Sequence, residues 1–332
     1  MGSPMTALDY GDMVRLTDPK GRHHTFVLES GGHFHTHRGG ISHADIKGQP
    51  EGSVVQTEQG VEYLVLRPLL SDYVLSMPRG AAIIYPKDAA LILQVADIHP
   101  GQRVMEAGVG SGGLSLWLHR TLGPEGELVS VEQREEFADI ARANVETYFR
   151  GAPPARWDIR IGELSEVLES EKESSVDRVL LDMLTPWECL EQSLRVLVPG
   201  GVILCYVATV TQLSRVMEAL RDSGLTTEPE AQETMVRGWH VDGLAVRPEH
   251  RMIGHTGFLC WARRLAPGTQ LPQPAGKKTK PDYAEADIEA WTPGAVKQRE
   301  ETPKKLRKLQ RETASRSEKT ARKPSKKSRR DQ

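Results

Sequence analysis

The sequence has 332 residues, of which 38% are hydrophobic and 5% aromatic, and its formal net charge is −2. This length allows one large domain with a smaller companion, and no apolar run approaches the ~18 residues of a membrane span. The three cysteines, Cys189, Cys205 and Cys260, are scattered and odd in number, which argues against a disulfide scaffold. Because the N-terminus also lacks a basic flank and an apolar signal core, we expect a cytoplasmic protein.

Charge is distributed unevenly along the chain. Residues 302–332 contain 13 Lys and Arg against 3 Asp and Glu, whereas the remainder has 30 basic and 42 acidic residues. We predict a low-complexity, disordered tail over 268–332, because its polar residues cannot bury enough apolar surface to offset their ordering entropy. Such a tail is either a solubilising segment or a basic arm that adds nonspecific RNA affinity by releasing counterions.

Residues 10–75 show short apolar runs separated by turn signals. The runs lie at 13–16, 25–28, 53–55 and 63–66. This pattern is typical of a small antiparallel β domain, which we place at residues 1–75.

After Pro86 the pattern changes to alternating strands and helices. Strands are predicted at 102–107, 127–132, 157–162, 177–182 and 201–207, and helices at 111–122, 134–149, 187–197 and 211–223. Such alternation indicates an α/β domain with a mostly parallel sheet and helices on both faces, which we place at residues 76–267. Ligands of these sheets bind beyond the carboxyl ends of the strands, so the strand ends are where site residues are expected.

The first of these strands ends at a glycine-rich turn. Gly108, Gly110 and Gly113 satisfy the G-x-G-x-x-G spacing, and a helical pattern follows. The glycines permit the backbone to approach a polar ligand closely at a helix N-terminus. By itself the turn fits a dinucleotide, S-adenosylmethionine or a purely structural role.

Two carboxylates bear on that choice. Glu106 stands two residues before the first glycine, where it can meet the cationic amino acid end of S-adenosylmethionine. NAD has no positive group to place there except its distant nicotinamide ring. Glu132 ends the second strand and can accept hydrogen bonds from the ribose hydroxyls of either cofactor; a solvated helix-capping acid is the alternative.

The fourth strand ends in Asp182, which is followed by a short turn, Pro186 and Trp187. This order resembles a stretched form of the Asp-Pro-Pro-aromatic element of amino-group methyltransferases. A carboxylate there can accept a hydrogen bond from an exocyclic amine while an aromatic face holds a flat base. The alternatives are a helix N-cap for Asp182 and core packing for Trp187.

Several separated stretches of the chain together match one family pattern. They are Phe34-His35-Thr36-His37-Arg38-Gly39, the stretches 67–73, 77–80, 84–88, 106–112 and 181–187, Tyr206-Val207-Ala208-Thr209-Val210-Thr211-Gln212, and the stretch 254–259. Over about residues 10–265 the chain resembles the TrmI-type tRNA (adenine-58-N1)-methyltransferases, particularly their actinobacterial branch. The resemblance implies a seven-stranded Rossmann-like S-adenosylmethionine-dependent methyltransferase sheet behind the small β domain. It also implies a homotetramer that methylates N1 of adenine 58 in the T-loop of tRNA, without a metal.

The resemblance also implies roles for individual residues. Asp182 corresponds to the catalytic carboxylate, and Tyr85 and Tyr206 correspond to aromatic residues that line the target-base pocket. Glu163 departs from the family, which generally places aspartate against the adenine of the cofactor. The predicted cofactor-binding residues are Glu106, Gly108, Gly110, Ser111, Gly112, Gly113, Glu132, Glu163 and Asp182.

Histidines cluster near the N-terminus, where six of the 11 precede Ala44. If residues 32–38 are extended, His33, His35 and His37 share one face. They contact RNA or an interface, or are ordinary surface residues, or, least in keeping with the family pattern, bind a metal. For His255 the sequence leaves packing and substrate contact equally open.

Other function classes remain to be separated from the methyltransferase hypothesis. A dehydrogenase fits the glycine turn but leaves residues 182–187 without a role. A noncatalytic tRNA-binding scaffold needs neither the glycine turn nor Asp182. Within the methyltransferases, the alternatives act on another nucleobase or on a protein carboxylate.

Overall fold

The computed structural model describes residues 7–272 and residues 307, 308, 310 and 311. The predicted disordered tail at 268–332 therefore lies almost entirely outside the described residues. The chain forms two compact units, one comprising residues up to Arg79 together with Arg142–Ala152, the other comprising Gly80–Ala141 and the chain from Pro153. The domain boundaries predicted from the sequence stay a prediction. Within residues 7–272, no helix is long and apolar enough to cross a membrane.

The first unit is mostly antiparallel β structure, as the sequence predicts. Its elements are β1 (Met13–Thr17), β2 (His23–Val27), β3 (His33–Thr36), β4 (Gly39–Ser42), α1 (His43–Ile46), β5 (Val54–Gln56), β6 (Glu62–Leu66) and α2 (Leu70–Ser76). Four strands form a sheet in the order β2-β1-β6-β5, and β3 and β4 form a separate hairpin. In β1, Val14 and Leu16 are buried between less buried neighbours, the alternation expected of a sheet with one covered face.

The second unit contains the predicted α/β sheet. Its elements, with the helix α5 that runs past its boundary, are α3 (Pro86–Val95), β7 (Arg103–Ala107), α4 (Gly113–Leu122), β8 (Glu127–Glu132), α5 (Glu135–Phe149), β9 (Arg156–Ile161), α6 (Leu164–Ser170), β10 (Val176–Asp182), a 3-10 helix (Pro186–Cys189), α7 (Leu190–Val196), β11 (Leu197–Val207), α8 (Val210–Asp222), β12 (Glu230–Gln232), β13 (Trp239–Asp242), β14 (Ala245–Pro248) and β15 (Phe258–Arg263). Seven strands form one sheet in the order β12-β15-β11-β10-β7-β8-β9. The five strands from β11 to β9 are parallel, β15 runs antiparallel to β11, and β12 pairs antiparallel with β15.

The sheet is covered on both faces, because neighbouring residues of its strands enter different hydrophobic clusters. Met105, Val129 and Val179 belong to one cluster, which includes residues of α6, α7 and α8. Val104 and Leu128 belong to the other, which includes residues of α3 and α4. Alternate side chains of a strand point to opposite faces, so the predicted arrangement of helices on both faces is confirmed.

The structure adds elements that the apolar pattern does not reveal. The helix predicted at 187–197 consists of the 3-10 helix and α7, and β11 begins four residues before its predicted start at 201. The early start runs through Pro199 and Gly200, which read as a turn in the sequence. Helices α2, α3 and α6 and strands β12 to β14 are short or lie among polar residues, and so lack a clear period.

Leu194 provides a test of this core. It lies in α7 and is fully buried in the cluster with β10 and β11. We expect Leu194→Ala to lower the free energy of unfolding by about 2–5 kcal/mol, since it removes buried methyl groups and leaves a cavity. The control is Leu225→Ala, at a side chain that is 47% exposed, which should change it by less than about 1 kcal/mol. Urea unfolding measures both, and equal losses would contradict the assigned core.

Candidate active site

The glycine-rich segment connects β7 to α4 and depends on left-handed backbone. Gly110 has φ +56° and Gly112, the N-cap of α4, has φ +80°. A Cβ added to Gly112 would lie 3.2 Å from the Ala141 Cα, so helix α5 packs directly against the turn. The sequence-predicted need for glycine is therefore explained at Gly110 and Gly112 by conformation, and at Gly112 also by close packing.

Glu132 fixes the shape of this turn. It ends β8 and is almost fully buried, and its Oε2 accepts a hydrogen bond of 3.0 Å from the Gly110 amide. Its Oε1 accepts from the Arg134 amide at 3.2 Å and faces the Arg134 guanidinium at 3.4 Å. A Cβ on Gly108 would lie 3.3 Å from the Glu132 Oε2. Glu132 thus binds the turn itself, a role that the sequence does not reveal.

Glu106 is held by two serine hydroxyls. It is the penultimate residue of β7, is buried, and accepts hydrogen bonds on Oε1 from Ser115 at 2.5 Å and Ser130 at 2.6 Å. The Ser130 hydroxyl in turn accepts from the Trp157 indole nitrogen at 2.8 Å. Sequence reasoning missed these serines, because nothing in their spacing distinguishes them from other small residues of a helix and a strand.

Asp182 lies at the end of β10, the neighbour of β7 in the sheet. Its backbone carbonyl accepts a hydrogen bond of 3.1 Å from the Gly108 amide, which ties the strand end to the glycine turn. No residue in the described range 7–272 donates a hydrogen bond to the Asp182 carboxylate, unlike the carboxylates of Glu106 and Glu132. Asp182 therefore retains its accepting capacity for a ligand.

These residues surround one cavity at the carboxyl edge of the sheet. Its lining consists of Ala82, Ile83, Ile84, Glu106, Ala107, Gly108, Val109, Gly110, Ser111, Gly113, Leu114, Leu180 and Asp182. Six of the predicted site residues are thereby brought together. Gly112 supports the turn and Glu132 bonds to it, although neither belongs to the lining.

The cavity contains two carboxyl groups that are shielded from solvent, and this raises their pKa values. Burial, with a smaller contribution from the charge of Asp182, raises the pKa of Glu106 to about 7 despite the lowering effect of the two serine hydrogen bonds. Burial likewise raises the pKa of Asp182 to about 7, with an added contribution from the charge of Glu132. A cationic ligand favours the ionised form of both carboxyls, so the cavity is suited to a positively charged group.

Three other predicted site residues lie outside the cavity lining. Glu163 precedes α6, is exposed, and accepts a hydrogen bond of 2.8 Å from the Gln133 side chain. Tyr85 is the N-cap residue of α3, next to the lining residue Ile84. Tyr206 pairs with Asp182 across β10 and β11, and its hydroxyl lies 3.4 Å from the Asp88 Oδ2.

The loop after Asp182 is held by Gln212. The Gln212 side chain donates to the Leu184 carbonyl at 2.9 Å and closes a capping box with Thr209 at the start of α8. Trp187 packs against the cluster of β10 and β11, and the Arg215 guanidinium lies 4.2 Å from its ring centroid. These contacts favour the packing role for Trp187 over the base-stacking role.

In the N-terminal unit, the histidines have different environments. His33 and His35 are exposed, with ring centroids 5.8 Å apart, and both line a groove that also contains Phe26 and Phe34. His43 is buried, stacks on Phe26 and accepts from the Glu29 amide at 2.9 Å. Within the described part of the chain, no group of three His, Cys, Asp or Glu side chains is arranged to hold a metal ion.

Comparisons with known proteins agree with this geometry. Residues 7–55 match the family model described as TrmI-like N-terminal, and residues 63–243 match the one described as tRNA methyltransferase complex GCD14 subunit. The chain is 35% identical over 249 residues to the tRNA (adenine(58)-N(1))-methyltransferase TrmI of Thermus thermophilus, covering 75% of this chain and 95% of that protein. It is 29% identical to the tRNA (adenine(57)-N(1)/adenine(58)-N(1))-methyltransferase TrmI of Methanocaldococcus jannaschii, covering 66% and 84%.

Solved structures show the same fold. A SAM-dependent O-methyltransferase from Thermotoga maritima superposes with a TM-score of 0.73 at 28% identity, covering 80% of this chain and 97% of that one. The tRNA (m1A58) methyltransferase TrmI from Aquifex aeolicus superposes with a TM-score of 0.68 at 24% identity, covering 78% and 99%. At that identity the second likeness shows the fold alone.

The cavity residues fit S-adenosylmethionine, the cofactor of this fold. The turn at Gly108 and Gly110 exposes backbone without side chains, and the raised pKa of Glu106 and of Asp182 marks carboxyls that a cation would stabilise in ionised form. The dehydrogenase alternative is thereby removed, since both the comparisons and the acidic cavity point to a sulfonium donor.

The raised pKa values predict that S-adenosylmethionine binding releases protons. With pKa values of about 7, Glu106 and Asp182 together hold roughly one proton at pH 7 in the free site. A bound sulfonium is expected to lower both pKa values, so roughly one proton should leave per site. Affinity should therefore fall as pH drops below 7. Isothermal titration calorimetry in two buffers of different ionisation enthalpy measures the release.

S-adenosylhomocysteine serves as the matched ligand, because it lacks the sulfonium charge and should release fewer protons. Asp182→Asn serves as the matched variant and should remove much of the difference between the two ligands. Identical proton release for both ligands would contradict an electrostatic role for these carboxyls.

Proposed function

This chain belongs to the tRNA (adenine(58)-N(1))-methyltransferase family, and from that premise we propose that it methylates N1 of adenine 58 in the T-loop of tRNA. The observation that carries the proposal is the Asp182 carboxylate, which ends β10 beside the glycine turn and has no hydrogen-bond donor among residues 7–272. A free acceptor beside a methyl-donor site is what an adenine with an exocyclic amine requires.

The role of Asp182 follows from the chemistry of adenine. N1 carries an in-plane lone pair and needs no deprotonation, so the protein has to orient the base and stabilise the positive charge that develops on it. The Asp182 carboxylate accepts a hydrogen bond from N6, which directs N1 towards the donor and stabilises that charge. Holding the reacting atoms roughly 3–3.5 Å apart accounts for about 7–11 kcal/mol of the barrier.

The cofactor is held by the residues of the glycine turn and the acids around it. When bound, S-adenosylmethionine supplies an electrophilic methyl group on a sulfonium. Glu106, Gly108, Gly110, Ser111, Gly112 and Gly113 bind its amino acid portion, and Glu132 accepts from the ribose with the lone pairs that the Gly110 amide leaves free. We keep Glu163 as the residue for the adenine, where its exposed side chain would have to leave Gln133.

Tyr85 and Tyr206 are proposed to receive the target base. N1 is inaccessible while the base is paired and stacked, so the enzyme extrudes the nucleotide at a cost of a few kcal/mol. Stacking on aromatic side chains offsets this by about 1–3 kcal/mol per base. Both tyrosines flank elements of the cavity: Tyr85 follows the lining residue Ile84, and Tyr206 lies beside Asp182 across the strands.

A second acceptor class has support from one observation. A pKa of about 7 suits Asp182 to remove a proton from a hydroxyl, and the Thermotoga maritima structure carries the description O-methyltransferase. The nature of the methylated atom separates the two. Mass spectrometry of tRNA after incubation with labelled cofactor should locate the methyl group on N1 of adenine 58; label on a ribose or protein oxygen would favour the second class.

Asp182→Ala is expected to abolish methylation while leaving S-adenosylhomocysteine affinity nearly unchanged, because the carboxylate acts on the base. A loss of about 10²–10³-fold in kcat is expected for removal of a central electrostatic group. The control is Asp177→Ala, which removes a carboxylate at the other end of β10 that accepts from the Arg103 amide. That variant should lose stability but keep its turnover, and near-normal turnover of Asp182→Ala would remove Asp182 from the mechanism.

Self-association into a homotetramer is proposed from the exposed hairpin of β13 and β14. Paired residues share a face, and one face carries Trp239 opposite Pro248 and Val241 opposite Val246. These side chains are 58% (Trp239), 66% (Val241) and 56% (Val246) exposed, and the other face carries His240 and Arg247. An apolar face of this kind on a two-stranded hairpin is typical of a protein interface. The occupant we propose is a second copy of this chain.

Val241→Asp should reduce the oligomer to a smaller species, because it buries a charge in the proposed interface. The matched control is His240→Asp, the same substitution on the polar face of the same strand. Light scattering coupled to gel filtration measures the mass of both. A wild-type monomer, or equal dissociation of both variants, would contradict the assigned interface.

Two further proposals concern the cellular location of the protein and the role of its basic tail. We place it in the cytoplasm, where its three cysteines, all buried and free, remain reduced. We also propose that the basic tail from residue 268 onward adds nonspecific RNA affinity through its lysines and arginines.

A further inference from the structure

The first turn of α3 contains a buried ion pair that the mechanism above does not use. Asp88 is fully buried, and its Oδ1 lies 2.6 Å from the Lys87 ammonium. The amide of Asp88 donates to the carbonyl of Tyr85 at 2.9 Å, so this turn also carries the first proposed base-binding tyrosine. A buried charged pair is costly to assemble, and removing one partner is strongly destabilising because the other charge is left buried and unpaired.

All three hydrogen-bond donors of the Lys87 ammonium have protein acceptors. Besides Asp88, its ammonium donates to the Thr234 carbonyl at 2.7 Å and to the Thr256 hydroxyl at 2.5 Å. An ammonium has three N–H donors, and all three have acceptors here. Lys87 is therefore not a phosphate-binding lysine, although it lies in an RNA-modifying enzyme; it positions other groups.

The other oxygen of Asp88 reaches the second proposed base-binding tyrosine. Asp88 Oδ2 accepts from the Thr256 hydroxyl at 2.5 Å and faces the Tyr206 hydroxyl at 3.4 Å. Burial, together with the charge of Asp88, raises the pKa of Tyr206, so its hydroxyl remains a donor. Gly257 closes the site from the other side, because a Cβ there would lie 2.3 Å from the Tyr206 Cζ.

The same network holds both ends of the segment that carries the exposed hairpin. Thr234 and Thr256 flank residues 235–255, which include β13 and β14, and both bond to Lys87. A second contact lies next to them, where His255 bridges the Glu233 carboxylate at 2.7 Å and the Ala208 carbonyl at 2.8 Å. Ala208 directly follows β11, the strand on which Tyr206 lies.

We infer that Asp88 and Lys87 are positioning residues for base methylation, holding the Tyr206 ring and the base of the hairpin segment in one arrangement. The inference rests on the proposed function, in which Tyr206 contacts the target base. In this arrangement the contact between the Tyr206 hydroxyl and the Asp88 carboxylate fixes the position of the ring. Loss of either lets the ring move, and a displacement of about 1 Å at the base costs up to about 10²-fold in turnover.

A double-mutant cycle tests this contact. Tyr206→Phe and Asp88→Asn should each lower kcat by roughly tenfold, and the double variant should be no worse than the more impaired single variant, because both changes break the same contact. The dissociation constant of S-adenosylhomocysteine should stay within about twofold, since no cofactor contact is removed. Asp88→Asn with unchanged kcat, or losses that multiply in the double variant, would overturn the inference.

Thr256 supplies a conservative pair that avoids removing the buried charge. Thr256→Val deletes the hydroxyl that joins Lys87 and Asp88 while keeping the shape, and Thr256→Ser retains it. We expect the valine variant to lose kcat and the serine variant to keep it. If Asp88→Asn fails to fold, this pair decides the question: equal kcat values would overturn the inference.

Asp12→Asn is the control for the general loss of stability that follows when any buried, paired carboxylate is removed. Asp12 is 1% exposed and pairs with Arg67 at 2.8 Å within the N-terminal unit. It should lower the melting temperature without lowering kcat. If Tyr206→Ala leaves kcat and the KM for tRNA unchanged, the proposed role of Tyr206 fails; if Tyr206→Ala impairs turnover and the Asp88 and Thr256 variants do not, only the present inference fails.

Discussion

Three carboxylates at the ends of adjacent parallel strands are the constraint around which this site is built. The sheet order β10-β7-β8 places Asp182, Glu106 and Glu132 at one edge. Burial at this edge, with a smaller contribution from the charge of a neighbouring acid, raises the pKa of Glu106 and of Asp182 to about 7. The fold tolerates this unfavourable arrangement because the ligand of the edge carries the compensating positive charge.

The three acids are not equivalent, and their hydrogen bonds explain why. Each oxygen of Glu132 already accepts one hydrogen bond, from the Gly110 amide or the Arg134 amide, so Glu132 shapes the glycine turn and keeps only its remaining lone pairs for a ligand. Glu106 is held by Ser115 and Ser130, which orient it without neutralising it. Asp182 has no donor within residues 7–272, and therefore it is the acid that remains available to a substrate amine. The different roles of the three acids therefore follow from their hydrogen-bond partners rather than from residue type.

Much of this site could be predicted from the sequence, because its parts are local. The glycine turn directly follows an apolar strand, and Glu132 and Asp182 each end one. Parallel strands bring their ends to one edge whatever their separation in the chain. Periodicity also located β7 to β11 and α4, α5 and α8. Those segments are long or strongly apolar, so their hydrophobic periodicity alone indicates the secondary structure that they form in the fold.

The parts that escaped prediction depend on contacts between distant residues. Lys87 bonds to Thr234 and Thr256, which lie 147 and 169 residues away in the chain, and no spacing rule connects them. Glu163 stands where the family generally has aspartate, and its side chain turns to Gln133, outside the cavity lining. The hairpin of β13 and β14 lies among charged residues, and its apolar face is visible only once the register pairs Trp239 with Pro248.

The unpredicted contacts also suggest why an RNA enzyme would bury a lysine. A solvent-exposed lysine beside Tyr206 would attract phosphate and compete with correct placement of the base, whereas Lys87 has its donors filled by protein atoms. Two of those acceptors, in Thr234 and Thr256, flank the hairpin segment. A displacement of that segment would therefore change the hydrogen bonds of the ion pair next to Tyr206. The proposed association of copies through the hairpin and the proposed base pocket would then share one buried network, because Asp88, Thr234 and Thr256 all bond to Lys87.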